Sequence, residues 1–209
     1  GGTGSVTGRS LQAAPALLEY LDAHGMGRLS KRLVSTGVVD VVSTAAPGVD
    51  DLLVLGRVKA IERSGAFDFI VVDGPAAGHA ITFLMAAAGL RDTISSGPIN
   101  SQAAEVLEML RDPARCQVVL VTIPEETPVN ETVETAFALE DRVGVQLGPV
   151  VVNAFDESGL RVADPATVGL DSAERAGDLA AAARFRRDRA HDQADQVARL
   201  TASLPLPQV

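Results

Sequence analysis

Three short, nearly unbroken apolar runs punctuate the chain: Phe67–Asp73 (FDFIVVD), Gln117–Ile123 (QVVLVTI) and Gly148–Asn153 (GPVVVN). Each is rich in β-branched residues and ends in a polar or turn-forming stretch, the pattern of strands covered on both faces of a parallel sheet. Elsewhere the apolar positions recur at helical spacing. They predict helices over Ala14–Ala23, Arg28–Ser35 and Val49–Ser64 ahead of the first run, and over His79–Ala88 and Asn100–Leu110 between the first two. Between the last two runs, Val129, Val133, Ala136 and Phe137 mark a helix over Thr127–Val143. Thr127-Pro128 suits its N-cap and first position, with Glu131 and Glu134 near the positive end of the helix dipole. Strand, helix and strand make a β-α-β unit, for which the right-handed crossover is strongly favoured. A polar connection over residues 154–174 leads to a long helix over 175–203, with Val197, Leu200 and Leu204 as the apolar stripe near its end. The closing Leu204–Val209 (LPLPQV) reads as the approach to a strand that is not completed. Three strands are few for so much apolar helix surface. The expectation is an α/β fold with helices on both faces of an incomplete parallel sheet, residues 1–209 being one partial domain.

Composition narrows this picture. The 209 residues are 46% hydrophobic and 22% charged, which marks a globular chain with room for a sizeable core. Aromatic residues are only 3%, so Ala, Val and Leu must fill that core. The net charge of −9 argues against nucleic acid or an anionic membrane as a general partner, while leaving room for a local cationic pocket. A lone cysteine, Cys116, excludes an internal disulfide framework and fits a reducing cytoplasm. No basic segment followed by an apolar stretch opens the chain, and no apolar run is long enough to span a bilayer.

Candidate chemistry sits at the ends of the apolar runs. Asp73 closes the first, at the carboxyl edge where α/β sheets bind ligands, and a carboxylate there can hold the water shell of Mg²⁺. Gly74, Pro75 and Gly78 then make a tight loop into a helix, and Gly78 lets backbone N–H groups approach a phosphate. The plainer alternative is a strand-ending Asp that caps the next turn. Val121–Thr132 (VTIPEETPVNET) opens a second helix, with Glu125 and Glu126 aimed at the same edge or, more simply, solvated in an acidic first turn. Asn153 ends the third run and offers a donor and an acceptor to a base edge; a turn residue is the alternative.

Other chemistries fit poorly. The opening GGTGSVTGRS imitates G-x-x-x-x-G-K-[ST], but Thr3 stands for the first Gly, Arg9 for the Lys, and Pro15 interrupts the helix that should follow. His24, His79 and His191 are scattered, and neither a G-x-S-x-G elbow nor a strand-linked G-x-G-x-x-G occurs. Arg184–Arg189 (RFRRDR) reads as a solvated helix face.

Taken together, Ala46–Leu53 (APGVDDLL), Phe67–His79 (FDFIVVDGPAAGH), Val121–Thr132 and Val150–Asn153 (VVVN) resemble, in order and spacing, the ArsA family of ATPases. That family comprises the arsenite-pump and tail-anchored-protein-targeting ATPases, of the deviant-Walker P-loop class. The resemblance covers most of residues 14–155 and is nearest to the Arg- and Ala-rich versions of actinobacteria. It implies a P-loop NTPase-like fold, ATP and Mg as cofactors, and a homo- or heterodimer with an ArsA-like subunit. By the same resemblance Asp73–His79 is a switch II, Asp73 lies near Mg²⁺ through water, Gly78 senses the γ-phosphate, Asn153 reads adenine, and Glu125 lies near the nucleotide and dimer surface.

This sequence also departs from the family. The loop G-K-G-G-V-G-K-[ST] and the switch I aspartate are missing from residues 1–209, and GGTGSVTGRS falls where relatives have a connection after switch I. Pro75 comes one place early, and Ala77 replaces a Thr. Cys116 alone supplies neither an arsenite site nor a C-x-x-C zinc bridge. The short Ala80–Gln117 interval leaves little room for a large client groove, so a membrane-protein client is unspecified. The expectation is the central and C-terminal part of an ArsA-like ATPase, weak or inactive as an isolated chain. The alternatives are a non-catalytic subunit beside an active ATPase and an α/β binding module for another ligand.

Overall fold

A computed structural model of the chain describes residues 4–36, 48–156 and 173–209. Residues 1–3, Ala46 and Pro47 of the APGVDDLL motif, and most of the 154–174 connection lie outside the described residues. The chain forms two compact units. The first comprises Gly1–Cys116 with Arg142–Val145, the second Gln117–Asp141 with Gln146–Val209.

The first unit is helical: α1 (Ala13–Ala23), α2 (Gly27–Thr36), α3 (Val49–Arg63), α4 (Ala77–Thr93) and α5 (Pro98–Arg111). Pro98 begins α5, where its missing N–H costs nothing. The core is made by Leu52, Leu55 and Val58 of α3, Ala87 and Leu90 of α4, and Val106, Leu107 and Leu110 of α5. Small side chains let these helices approach closely. A Cβ on Gly56 would overlap Gln102 Nε2 of α5. That Gln102 side chain is held in place, because buried Lys59 Nζ donates to its Oε1 at 2.8 Å and to Glu105 Oε2 at 2.8 Å. Arg115 grips Glu62 through Nε and Nη2 at 3.0 and 2.8 Å, a forked pair that ties the chain after α5 back to α3.

Phe67–Asp73 is not a strand. It has no regular secondary structure, with a bend at Asp68, and among the described residues no strand pairs with it. An apolar run becomes a buried strand only when neighbours supply both a hydrogen-bond ladder and covering faces. Lacking them, Phe69 and Val71 stand 83% and 79% exposed.

The second unit carries the parallel pairing. β1 (Val121–Thr122) pairs with β2 (Val151–Val152), with Val121 opposite Val151. A bridge between Val118 and Leu147 extends the contact. The connecting helix α6 (Glu126–Ala138) begins earlier than the sequence suggests: Glu125 is its N-cap, so Thr127 and Pro128 lie inside the first turn, where Pro removes no helical bond. Leu139–Val143 continues as a π-helical turn. α7 (Ala173–Ser203) follows. The closing LPLPQV does reach the sheet: Val150 N–H donates to Pro207 O, Val209 N–H to Val150 O and Val152 N–H to Val209 O, at 2.8, 3.0 and 2.8 Å. Val129 and Ala136 of α6, Val150, and Leu200 and Leu204 at the end of α7 form the core beneath this ladder. The fold is α/β with a small parallel sheet.

Candidate functional site

In the first unit a groove of about 910 Å³ is lined by α3 and the irregular segment Phe67–Pro75, with Thr7–Leu11 and Phe83 also lining it. Asp73, Gly74 and Pro75 line this groove, and all are exposed. Gly78 and His79, also exposed, are not in a loop: α4 already starts at Ala77, which places both in its first turn. The N-cap Ala76 has no side chain that can cap, and its carbonyl accepts from His79 and Ala80 N–H at 2.8 and 2.9 Å. The first N–H groups of α4 therefore have no side-chain acceptor at the cap, which favours an anion or water there. A Cβ on Gly74 or Gly78 would meet nothing within 4 Å, and neither residue has positive φ. Neither packing nor backbone conformation calls for glycine at these two positions, and the bare backbone stays open to a ligand.

Asp51 of α3 lines the same groove. Burial raises its carboxyl above the usual aspartate range, the neighbouring Asp50 adds to this, and His79 opposes it. His79 is thus close enough to Asp51 to act on its charge. The sequence pattern gives Asp51 no role beyond its place in APGVDDLL; the signal that could mark it is an acidic pair in a first helical turn. Among the described residues no group of three or more His, Cys, Asp or Glu could hold a metal. A single exposed carboxylate at Asp73 fits a magnesium ion ligated mainly by phosphate oxygens and water, and does not fit one caged by protein alone.

In the second unit the strand ends carry the other two predicted residues. Glu125, at the N-cap of α6, does not form an open acidic pair with Glu126: its Oε1 lies 3.5 Å from Arg189 Nη2 of α7. The Glu126 carbonyl accepts from Arg199 Nη2 at 2.9 Å. Arg186 Nε and Nη2 both reach Asp156 Oδ2, at 3.0 and 2.8 Å. The RFRRDR stretch is a solvated helix face, exposed throughout, from which Arg186 and Arg189 reach Asp156 and Glu125. Asn153 extends the ladder, its N–H donating to Thr122 O at 2.8 Å. Its Oδ1 accepts from Ala154 N–H at 2.9 Å, which leaves the Nδ2 hydrogens as its main outward offering.

The sequence model of the anion-transporting ATPase (ArsA) family matches residues 22–97, a span that includes Asp51 and the whole of Asp73–His79. ATPase BagA of Mycobacterium tuberculosis is 31% identical over 159 residues, covering 72% of this chain and 46% of the relative. A protein of Halobacterium salinarum described as "Putative arsenical pump-driving ATPase" is 27% identical over 116 residues, 52% of this chain and 18% of that protein. The chain belongs to the ArsA family of ATPases, whose fold is that of P-loop NTPases. It spans about half the length of the mycobacterial relative. No described helix is long and apolar enough to cross a membrane.

Proposed function

We propose that this chain is part of a Mg-dependent ATPase that couples ATP binding and hydrolysis to a change of shape at Asp73–His79, in the cytoplasm and within a dimer. The reading rests chiefly on one observation: the family match spans Asp73–His79, where an exposed carboxylate precedes a helix start without a side-chain cap. Asp73 would hold a water of the magnesium shell, and the first-turn N–H groups of α4, bared at Gly78, would meet phosphate oxygens. The ion would neutralise charge on the phosphates, so that hydrolysis depends on positioning rather than on a covalent step. Asn153 would read the adenine edge, and Glu125, paired with Arg189, would border the nucleotide side of its unit. A lysine-bearing phosphate loop is not found in residues 1–209, so the isolated chain should turn over ATP weakly or not at all.

The test is calorimetric titration of MgATP into the protein expressed from its longest reading frame, alongside Asp73→Ala. Micromolar binding in the parent that weakens about 10- to 100-fold in the variant supports the assignment. Equal binding in both overturns the role of Asp73. No binding in either favours the non-catalytic subunit.

A further inference from the structure

Ala154, directly after Asn153, has φ of +58°, and among the described residues no other non-glycine residue has a positive φ. Alanine avoids this left-handed region, so the surroundings must impose it. They do so from several sides. Asn153 Oδ1 accepts the Ala154 N–H at 2.9 Å. Gln193 of α7, only 3% exposed, donates from Nε2 to the Ala154 carbonyl at 3.2 Å and accepts the Asp156 N–H on Oε1 at 3.2 Å. Arg186, two helical turns earlier on α7, holds the Asp156 carboxylate. Gln193 thus engages both ends of its amide with a loop that lies about forty positions away in sequence.

A buried glutamine that satisfies itself on a strained backbone does more than fill space. Without it, the Asn153–Ala154 peptide plane would be free to flip, taking Ala154 to negative φ and turning its N–H away from Asn153 Oδ1. The Asn153 amide would then lose the contact that fixes which of its ends faces outward. We propose that Gln193 is a positioning residue for base recognition: it holds the Ala154 turn so that Asn153 presents Nδ2 as donor, which the acceptor N1 of adenine can take and the protonated N1 of guanine cannot. This rests on the reading of Asn153 as the base-contacting residue.

The test compares MgATP and MgGTP affinities of the protein from its longest reading frame with those of Asn153→Ala, Gln193→Leu and the double variant. Gln193→Glu serves as a second variant: it keeps an acceptor for Asp156 N–H and sets a carboxylate against the Ala154 carbonyl. Thermal melts identify the folded fraction, so that ratios are compared at equal folding. The inference predicts that Asn153→Ala removes most of the preference for ATP. Gln193→Leu and Gln193→Glu should each lower it at least fivefold, and the double variant should fall no further than Asn153→Ala alone. A merely structural Gln193 would lower the melting temperature and leave the ratio intact; that result overturns the inference while the Asn153 reading stands. If Asn153→Ala itself keeps the preference, the base reading falls, and the inference falls with it.

Discussion

Gln117–Ile123 and Phe67–Asp73 are of equal length, both are apolar with several β-branched residues, and both lead into a helix, yet their surroundings differ. The first shares a ladder: Val118 N–H donates to Gln146 O, Gly148 N–H to Val118 O and Val151 N–H to Leu120 O, at 2.9, 2.9 and 2.8 Å. Val150, on the strand it pairs with, is wholly buried. The second has no ladder among the described residues, and its phenylalanines and valines face water. Apolar patterning records the environment a segment is suited to. It cannot supply the neighbours that create that environment. Stability and the candidate phosphate chemistry therefore separate: the first unit rests on its helices, while its candidate site residues follow a segment that contributes little to the core.

The sharpest way to break this comparison is to empty the core of the paired region. Leu200→Ala, at a fully buried position packed with Val129, Ala136 and Val150, should cost about 2–5 kcal/mol in urea unfolding followed by circular dichroism. A smaller loss is expected from Gly56→Ala in the first unit. The new methyl must displace Gln102 from Lys59, leaving a buried polar partner unmet, for about 1–3 kcal/mol in a thermal melt. If that substitution is silent, the α3–α5 contact is not what holds the unit.

Acid provides a gentler probe of the same helices. Hydrogen bonds from Lys59 and Arg63 hold Glu105 below the usual glutamate range, and Arg115 does the same for Glu62. Because both carboxyls have lower pKa values folded than unfolded, their stabilisation is complete above about 4.3, the ordinary glutamate value, and is lost as the pH falls below it. Melting temperature should decline through that range, with a shallower decline for Glu105→Gln; equal slopes would contradict the pairing. The least effect is expected on the exposed segment. Phe69→Ser should shift stability by no more than about 0.5 kcal/mol, and a loss comparable to Leu200→Ala would mean that Phe67–Asp73 is packed in solution.

Much of the helical frame was legible in the sequence, since α1, α3, α5 and α7 follow from apolar spacing and lie within two residues of expectation at each end. The ladder at Val150 was legible too, because its run is followed by polar and turn-forming residues. Three features were not. The pairing of LPLPQV with Val150 is a long-range event that two prolines disguise, though proline is tolerated where its N–H is not needed by the ladder. That no described residue pairs with Phe67–Asp73 cannot be read from the segment itself. The grip of Gln193 on the Ala154 turn arises from a single glutamine on a polar helix, which no local pattern distinguishes from a solvated one. Asn153 follows a paired strand as expected, whereas Asp73 closes a run that forms no strand among the described residues; the family match spans Asp73–His79. Asp51, present in the sequence only as part of APGVDDLL, gains its place from the groove.

The central claim, that Asp73 serves ATP hydrolysis and not the fold, is tested most directly by steady-state release of phosphate from MgATP. The protein from its longest reading frame is compared with Asp73→Asn at matched melting temperature. The account predicts measurable turnover that falls at least tenfold in the variant, with stability unchanged. Undiminished turnover in Asp73→Asn would contradict it.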